Sequence, residues 1–239
     1  MHHWHLPRTV SDELMDDPAL PAEEHHAALT ALARINWISG TAGQLAEAIA
    51  SLPAASAGRP LQILDLACGG GDVTIAVARK LASMGVAAEV TGVDMSERAL
   101  DVAQATAQRA ATDVGFVQHD LAADGCPRCD VAISSLFLHH LDDPAAERLL
   151  ASIAARARHG MVISDLLRSR LGLALAVLGT TCLARSRVAR VDGPLSVRAA
   201  RTPAEYRDLF HRAGLHPPQI RTVWPARALI RWSPTEVLS

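Results

Sequence analysis

Between Leu61 and Asp165, short apolar runs alternate with longer amphipathic stretches. The runs predict strands at Leu61–Leu66, Ala87–Val93, Gly115–His119, Asp130–Ser134 and Gly160–Ser164, with helices over Asp72–Met84, Glu97–Ala111 and Pro144–Ala157. Such alternation implies a parallel sheet covered on both faces. Upstream, Pro21-Ala22-Glu23-Glu24 opens a helix with Ala28, Leu29, Leu32, Ile35 and Ile38 on its apolar face, and a second helix spans Gln44–Ser51. Downstream, Leu171–Gly179 is apolar all round and predicts a helical insertion over Leu171–Arg190. Thr202-Pro203-Ala204-Glu205 is a capping box for a last helix that runs to Ala213 and stops at Gly214. Pro218–Val223 and Ala226–Trp232 then read as a closing hairpin. The expected fold is α/β: a mostly parallel seven-stranded sheet with helices on both faces and an antiparallel final strand. Residues 1–58 form an N-terminal tail and helical cap segment, residues 59–239 the main domain, and 166–200 an insertion within it.

One stretch organises the rest. Ile63-Leu64-Asp65-Leu66-Ala67-Cys68-Gly69-Gly70-Gly71-Asp72 passes from a strand through three glycines into a helix. Glycine suits a sharp turn with positive φ and lets the backbone close on a ligand. The helix N-terminus offers unpaired N–H groups. A dinucleotide site wants a third glycine where this chain has Thr74. Asp65, at the strand end, would repel a pyrophosphate and suits a cationic ligand group. The second and third strands also end in carboxylates, Asp94 and Asp120. Singly, each is as readily a turn or cap residue. Jointly they favour a cofactor site, because an acidic residue at the tip of the second strand can accept hydrogen bonds from ribose hydroxyls.

At Asp65, Ala67, Gly69 and Gly71 the sequence resembles the first motif of the Rossmann-like, class I S-adenosylmethionine (SAM)-dependent methyltransferases, Asp/Glu-x-Gly-x-Gly-x-Gly, with Ala67 in place of its first glycine. The resemblance implies SAM as cofactor and S-adenosylhomocysteine (SAH) as product. It assigns the ribose to Asp94, the adenine amino group to Asp120, and the adenine ring to Met95 and Leu121. Cys68 and Ser135 join the cofactor-binding set, and Arg34 is placed to reach the SAM carboxylate. The bland alternative for Arg34 is a solvated arginine on an amphipathic helix. Cys68 also reads as a small apolar filler.

The fourth strand leads into Ser134-Ser135-Leu136-Phe137-Leu138-His139-His140-Leu141. The Asn/Asp-Pro-Pro-aromatic motif of nucleic-acid amino-methyltransferases is absent. The His-His-Leu run instead resembles the small-molecule branch, which includes ubiquinone- and menaquinone-type enzymes and methyltransferases found beside polyketide synthases. His139 or His140 can take a proton from an attacking phenol or enol; a structural role is the competing reading. Asp165, at the end of the fifth strand, is a candidate for orienting the substrate or accepting its proton, against a loop-capping role. The resemblance implies methyl transfer to a small, apolar acceptor, a phenolic or polyketide-type hydroxyl, with carbon methylation in quinone-type biosynthesis as the alternative. The insertion then reads as a lid over a lipophilic substrate, against plain core packing. No metal is expected, because the Asp165 segment lacks neighbouring carboxylate or amide oxygens. A non-catalytic SAM-binding regulator would keep the three aspartates. A nicotinamide oxidoreductase would need a Tyr-x-x-x-Lys pair, yet the single tyrosine, Tyr206, lies far from the single lysine, Lys80.

Composition narrows the partners. With 49% hydrophobic residues the 239-residue chain can bury a large core, and disorder is excluded. The formal net charge is −2 and no basic block is present, which argues against nucleic acid. The longest apolar run, Leu171–Ala184, is shorter than the ~20 residues of a bilayer-spanning helix, so stable membrane insertion is not expected. Four cysteines in a chain of this size form no disulfide framework, and the start lacks a signal-peptide core; a cytoplasmic protein is the expectation. Cys126-Pro127-Arg128-Cys129 has redox or zinc spacing without a second ligand pair.

Overall fold

Leu61 and Ile63 of the first strand, β1 (Leu61–Leu66), enter one apolar cluster, and Leu64 and Leu66 enter another. A strand alternates its side chains with period 2, so β1 is buried on both faces and must sit inside a covered sheet. In the computed structural model, which describes residues 6–17, 19–52, 55, 58–183 and 186–234, it does. Around it lie β2 (Ala88–Asp94), β3 (Gly115–Gln118), β4 (Val131–Ser135), β5 (Met161–Leu166), β6 (Gln219–Val223) and β7 (Arg227–Trp232). The order is β3-β2-β1-β4-β5-β7-β6; the first five strands run parallel, and β7 is antiparallel to both β5 and β6.

The helices are α1 (Ala22–Ser39), α2 (Thr41–Ala50), α3 (Asp72–Ser83), α4 (Glu97–Ala110), α5 (Asp143–Arg156), α6 (Arg170–Leu183), α7 (Arg187–Ala199) and α8 (Pro203–Arg212). On one face of the sheet Leu149, Leu150 and Ile153 of α5 and Tyr206, Leu209 and Phe210 of α8 close the first cluster. On the other, Leu45 and Ile49 of α2 and Val77 and Leu81 of α3 close the second. Both faces are therefore covered, as the alternation of the sequence predicts. The capping box at Thr202 and Glu205 is present, with both reciprocal bonds made.

Strand boundaries fall within two residues of the expected ones, the usual uncertainty of element ends. Two departures have local causes. The apolar insertion is two helices rather than one element over 171–190, because Ser186 caps α7 by accepting from the Ala189 N–H. The second helix starts at Thr41 rather than Gln44, since Gly40 (φ 65°) ends α1 in the left-handed conformation and α2 follows at once. On α1, Ile38, expected on the apolar face, is exposed, whereas Asn36 is buried. No described helix is long and apolar enough to cross a membrane.

Candidate active site

The C-terminal ends of β1, β2, β4 and β5 share one edge of the sheet, where open α/β folds bind their ligands. The turn after β1 is built from left-handed residues: Ala67 (φ 55°), Gly69 (φ 52°) and Gly71 (φ 73°). Ala67 occupies this region despite its Cβ, at a cost of about 1–2 kcal/mol. The loop is tied down by Cys68 N donating to Val93 O (3.0 Å) and by Gly69 N donating to Asp94 Oδ2 (2.8 Å). Asp94 Oδ1 accepts from Ser96 N (2.9 Å), so the β2 carboxylate links the glycine loop to the start of α4.

The glycines of the loop and of β2 have different neighbours. A Cβ at Gly71 would stand 2.8 Å from both Ala103 Cβ and Phe116 Cζ, and one at Gly92 would stand 2.7 Å from Cys68 Sγ. Gly71 and Gly92 thus let Phe116 pack beneath the loop. At Gly69 the corresponding contact is Leu29 Cδ2 of α1 at 3.7 Å, so this part of the loop faces the N-terminal helix.

Asp65 lies wholly beneath this surface. Its Oδ2 accepts from Thr74 Oγ1 (2.6 Å), so the residue standing where a dinucleotide site has glycine is the partner of the motif carboxylate. Burial pushes the Asp65 carboxyl up, the Thr74 bond offsets part of this, and nearby Asp72 and Asp94 add to the rise, leaving it at about 7. Cys68 is buried beside it, and burial raises its thiol.

The other expected residues are distributed as follows. Met95 is exposed beyond β2, with its carbonyl accepting from Gln118 Nε2. Asp120 is exposed and caps its own turn through Ala122 N (2.8 Å) and Ala123 N (3.2 Å), while Leu121 packs against the α5–α8 cluster. Ser135, at the tip of β4, has a buried hydroxyl with no protein partner. Arg34 is on the exposed side of α1. Its near neighbour Asn36 enters the interior, donating to Asp72 Oδ2 (3.0 Å) and accepting from the fully buried Arg227 (3.0 Å). Arg227 also donates to Thr41 Oγ1 (2.6 Å), and burial lowers its guanidinium to about 10. This chain fixes α1 over the start of α3.

A second cluster occupies the β4–β5 side. Asp165 Oδ1 faces His139 Nδ1 at 2.6 Å, and the same carboxylate accepts the backbone N–H groups of His139 (3.0 Å) and Leu166 (2.7 Å). Burial alone would raise this carboxyl, but the His139 ring, its hydrogen bond and the Leu166 N–H hold it below the ordinary carboxylate value. A charged acceptor places the ring proton on Nδ1 and turns the Nε2 lone pair outward. His140 packs beside His139, with ring centroids 4.3 Å apart, and is the more accessible of the two.

The loop bearing both histidines is held from below. Buried Arg201 donates to Leu138 O (2.7 Å), Leu141 O (2.9 Å) and Asp143 Oδ1 (2.7 Å), and Arg8 adds bonds to Leu141 O and Asp143. Above the rings stands Glu13, a residue the sequence reading does not single out. Its Oε1 lies 4.0 Å from His139 Nε2 and 3.9 Å from His140 Nδ1, and accepts from Ser196 Oγ (2.6 Å). Burial raises the Glu13 carboxyl above its ordinary value, against the pull of His140 and Ser196. The segment carrying it is hung on Asp192 of α7, which accepts from Leu14 N (2.9 Å) and Met15 N (3.0 Å).

Known proteins repeat this architecture. The methyltransferase domain family matches residues 63–160. The ubiquinone biosynthesis O-methyltransferase of Alkalilimnicola ehrlichii is 33% identical over 125 residues, 51% of this chain and 48% of that protein. That of Leptothrix cholodnii is 30% identical over 150 residues, 61% of this chain and 56% of that protein. The chain spans about half the length of these curated relatives. Among solved structures, the O-methyltransferase family 2 protein of Planctomyces limnophilus in complex with apigenin aligns with a TM-score of 0.61 at 22% identity, covering 91% of this chain and 63% of that one. The plantazolicin methyltransferase BpumL in complex with SAH aligns with a TM-score of 0.60 at 19% identity, covering 82% and 69%. Sheet order, glycine loop and sequence similarity together give the chain the fold of the Rossmann-like, class I SAM-dependent methyltransferases, with a methyltransferase domain at residues 63–160.

Proposed function

We propose that the protein binds SAM at the tips of β1, β2 and β4 and transfers its methyl group to the hydroxyl of a small, apolar, phenolic or polyketide-type acceptor. The residues present fit the cofactor. The Asp94 carboxylate keeps acceptor capacity beyond its two backbone bonds, suited to ribose hydroxyls. The buried Ser135 hydroxyl at the neighbouring strand tip lacks a protein partner, and a polar ligand would satisfy it. Gly69 carries no side chain, which suits a loop backbone that closes on a ligand. Met95 and Leu121 would flank the adenine, with Asp120 near its amino group.

SAM supplies a methyl group already activated on a sulfonium sulfur. The chain has then to align the acceptor, exclude water and receive one proton. The observation that carries the hydroxyl reading is the bonded Asp165–His139 pair with His140 beside it, at the same sheet edge as Asp94. Asp165 fixes the ring and tautomer of His139; His140, more open, receives the acceptor's proton directly or passes it to Glu13. The helical insertion at 166–200 acts as the lid: α6 follows from the end of β5, and Leu171, Val177 and Leu178 expose an apolar face consistent with a lipophilic acceptor. The ubiquinone relatives are named as O-methyltransferases, which favours oxygen over carbon. We place the reaction in the cytoplasm.

The test is incubation of the protein with isotopically labelled methyl-SAM and a panel of phenols, hydroxyquinones and aromatic polyketides, with products read by mass spectrometry. O-methylated product, reduced by His140→Asn at least about tenfold on general-base grounds, supports the reading. Label on carbon assigns the quinone-type alternative. SAH binding without turnover of any acceptor class assigns a regulator.

A further inference from the structure

Glu13, His139 and His140 form the one group of potential metal ligands, among the described residues, whose donor atoms all lie within 4.8 Å of one another. We propose that this group is a binding site for a divalent transition-metal ion of the zinc class, and that the bound ion opposes methyl transfer rather than supplying it.

Three features of the cluster carry the binding. The first is the donor set: two imidazoles and a carboxylate suit zinc and its neighbours, whereas magnesium and calcium want oxygen alone. The second is orientation. His139 Nδ1 is committed to Asp165 at 2.6 Å, which leaves Nε2 directed at Glu13 and reproduces the carboxylate–histidine arrangement that supports metal-bound histidines. The third is reach. Glu13 Oε1 stands 4.0 Å from His139 Nε2 and 3.9 Å from His140 Nδ1. Tetrahedral zinc at its usual ligand distances needs donors about 3.4 Å apart, so each Glu13–histidine separation must shorten by roughly half an ångström. Rotation of the Glu13 side chain about its bond from Ser196 shortens both of its separations, and rotation of the more exposed His140 ring brings the two imidazole nitrogens, within 4.8 Å of each other, onto the ion.

Charge and access agree. Glu13 and Asp165 together balance a divalent cation in a place from which water is largely excluded. His140, with 27% of its side chain exposed, gives the side from which an ion can enter. The inhibitory half of the proposal rests on the methyltransferase reading: the ion would occupy the imidazole lone pairs that receive the acceptor's proton. Sulfonium methyl transfer itself needs no metal.

The experiment is calorimetric titration of the full chain with zinc sulfate in a non-chelating buffer, with a parallel titration of SAH and the visible spectrum after loading cobalt(II). The proposal expects one zinc per chain at micromolar affinity or tighter, with tetrahedral cobalt bands. Both are weakened at least 100-fold in Glu13→Gln and in His140→Asn, and about 10–100-fold in Asp165→Asn, the range for loss of a metal ligand's supporting carboxylate. SAH affinity stays unchanged in Glu13→Gln, which also reports that this variant is folded. Absence of stoichiometric zinc binding overturns the proposal. So does binding that survives Glu13→Gln and His140→Asn, as it would if His2, His3 and His5 were the ligands. If zinc binds as expected and SAH does not bind at all, the methyltransferase reading falls while the metal site stands.

Discussion

The glycine-loop side of the site and the histidine side each rest on an aspartate with almost no exposure, and the two carboxyls behave oppositely. Asp65 accepts a single hydroxyl, from Thr74, and has Asp72 and Asp94 nearby; burial takes it up to about 7. Asp165, just as buried, accepts two backbone N–H groups and faces the His139 ring, and these hold it below the ordinary carboxylate value. Burial alone therefore does not decide the charge of an interior carboxyl; the number and kind of donors around it do. The first aspartate is a strut under a loop and holds its proton up to about pH 7. The second is a charged anchor that sets the orientation of an imidazole.

The largest expected effect lies on the glycine-loop side. Gly71→Ala forces a Cβ onto Phe116 and Ala103 at a left-handed residue, and should cost about 2–5 kcal/mol from conformational strain and overpacking together. Gly69→Ala meets only Leu29 at an ordinary contact distance and should cost about 1–2 kcal/mol, the conformational part alone. Urea midpoints of the two variants measure the difference. Equal losses would mean that Phe116 does not pack under the loop.

A smaller effect separates the two aspartates by pH. A raised carboxyl means that the folded state holds the proton more tightly, so the Asp65 contribution to stability falls as pH rises from the unfolded value near 4 through about 7. Asp65→Asn should flatten that decline. Asp165 has the opposite sign: its stabilisation is present above the ordinary carboxylate value and is lost as pH falls through its lower folded value. Asp165→Asn should make the acid limb shallower. Denaturation midpoints across pH 3 to 8, a range chosen on this linkage, check both; slopes of the same sign would contradict the contrast.

The two sides also differ in how far the sequence discloses them. Asp65, Gly69, Gly71 and Asp94 fall on one strand-turn-helix and the next strand, so spacing and periodicity locate them without tertiary information. Even there, Thr74 is visible only as an absent glycine, because its bond to Asp65 depends on how α3 leaves the turn. Asn36 and Arg34 are two positions apart on one helix, about 200° around its axis and so on opposite faces, and the buried Asn36 is polar and adds nothing to the apolar stripe that marks the inward face. His139 and Asp165 are legible as strand-end residues, though not as a bonded pair. Glu13 is not legible at all. It reaches the histidines because Asp192, 178 positions from Leu14, holds its segment, and because Arg168 binds Leu6 O across 162 positions. Neither contact leaves a periodic signal. Arg201, which holds the histidine loop, is hidden for the same reason.

The central claim is that the loop side binds the cofactor and the histidine side serves the acceptor. Calorimetric titration of SAH into the wild type, Asp94→Ala and His140→Asn tests it most directly. The account predicts binding in the wild type, a loss of about 100-fold or more in Asp94→Ala from the charged hydrogen bonds removed, and unchanged affinity in His140→Asn. Full binding by Asp94→Ala, or its loss in His140→Asn, would contradict the division of the site.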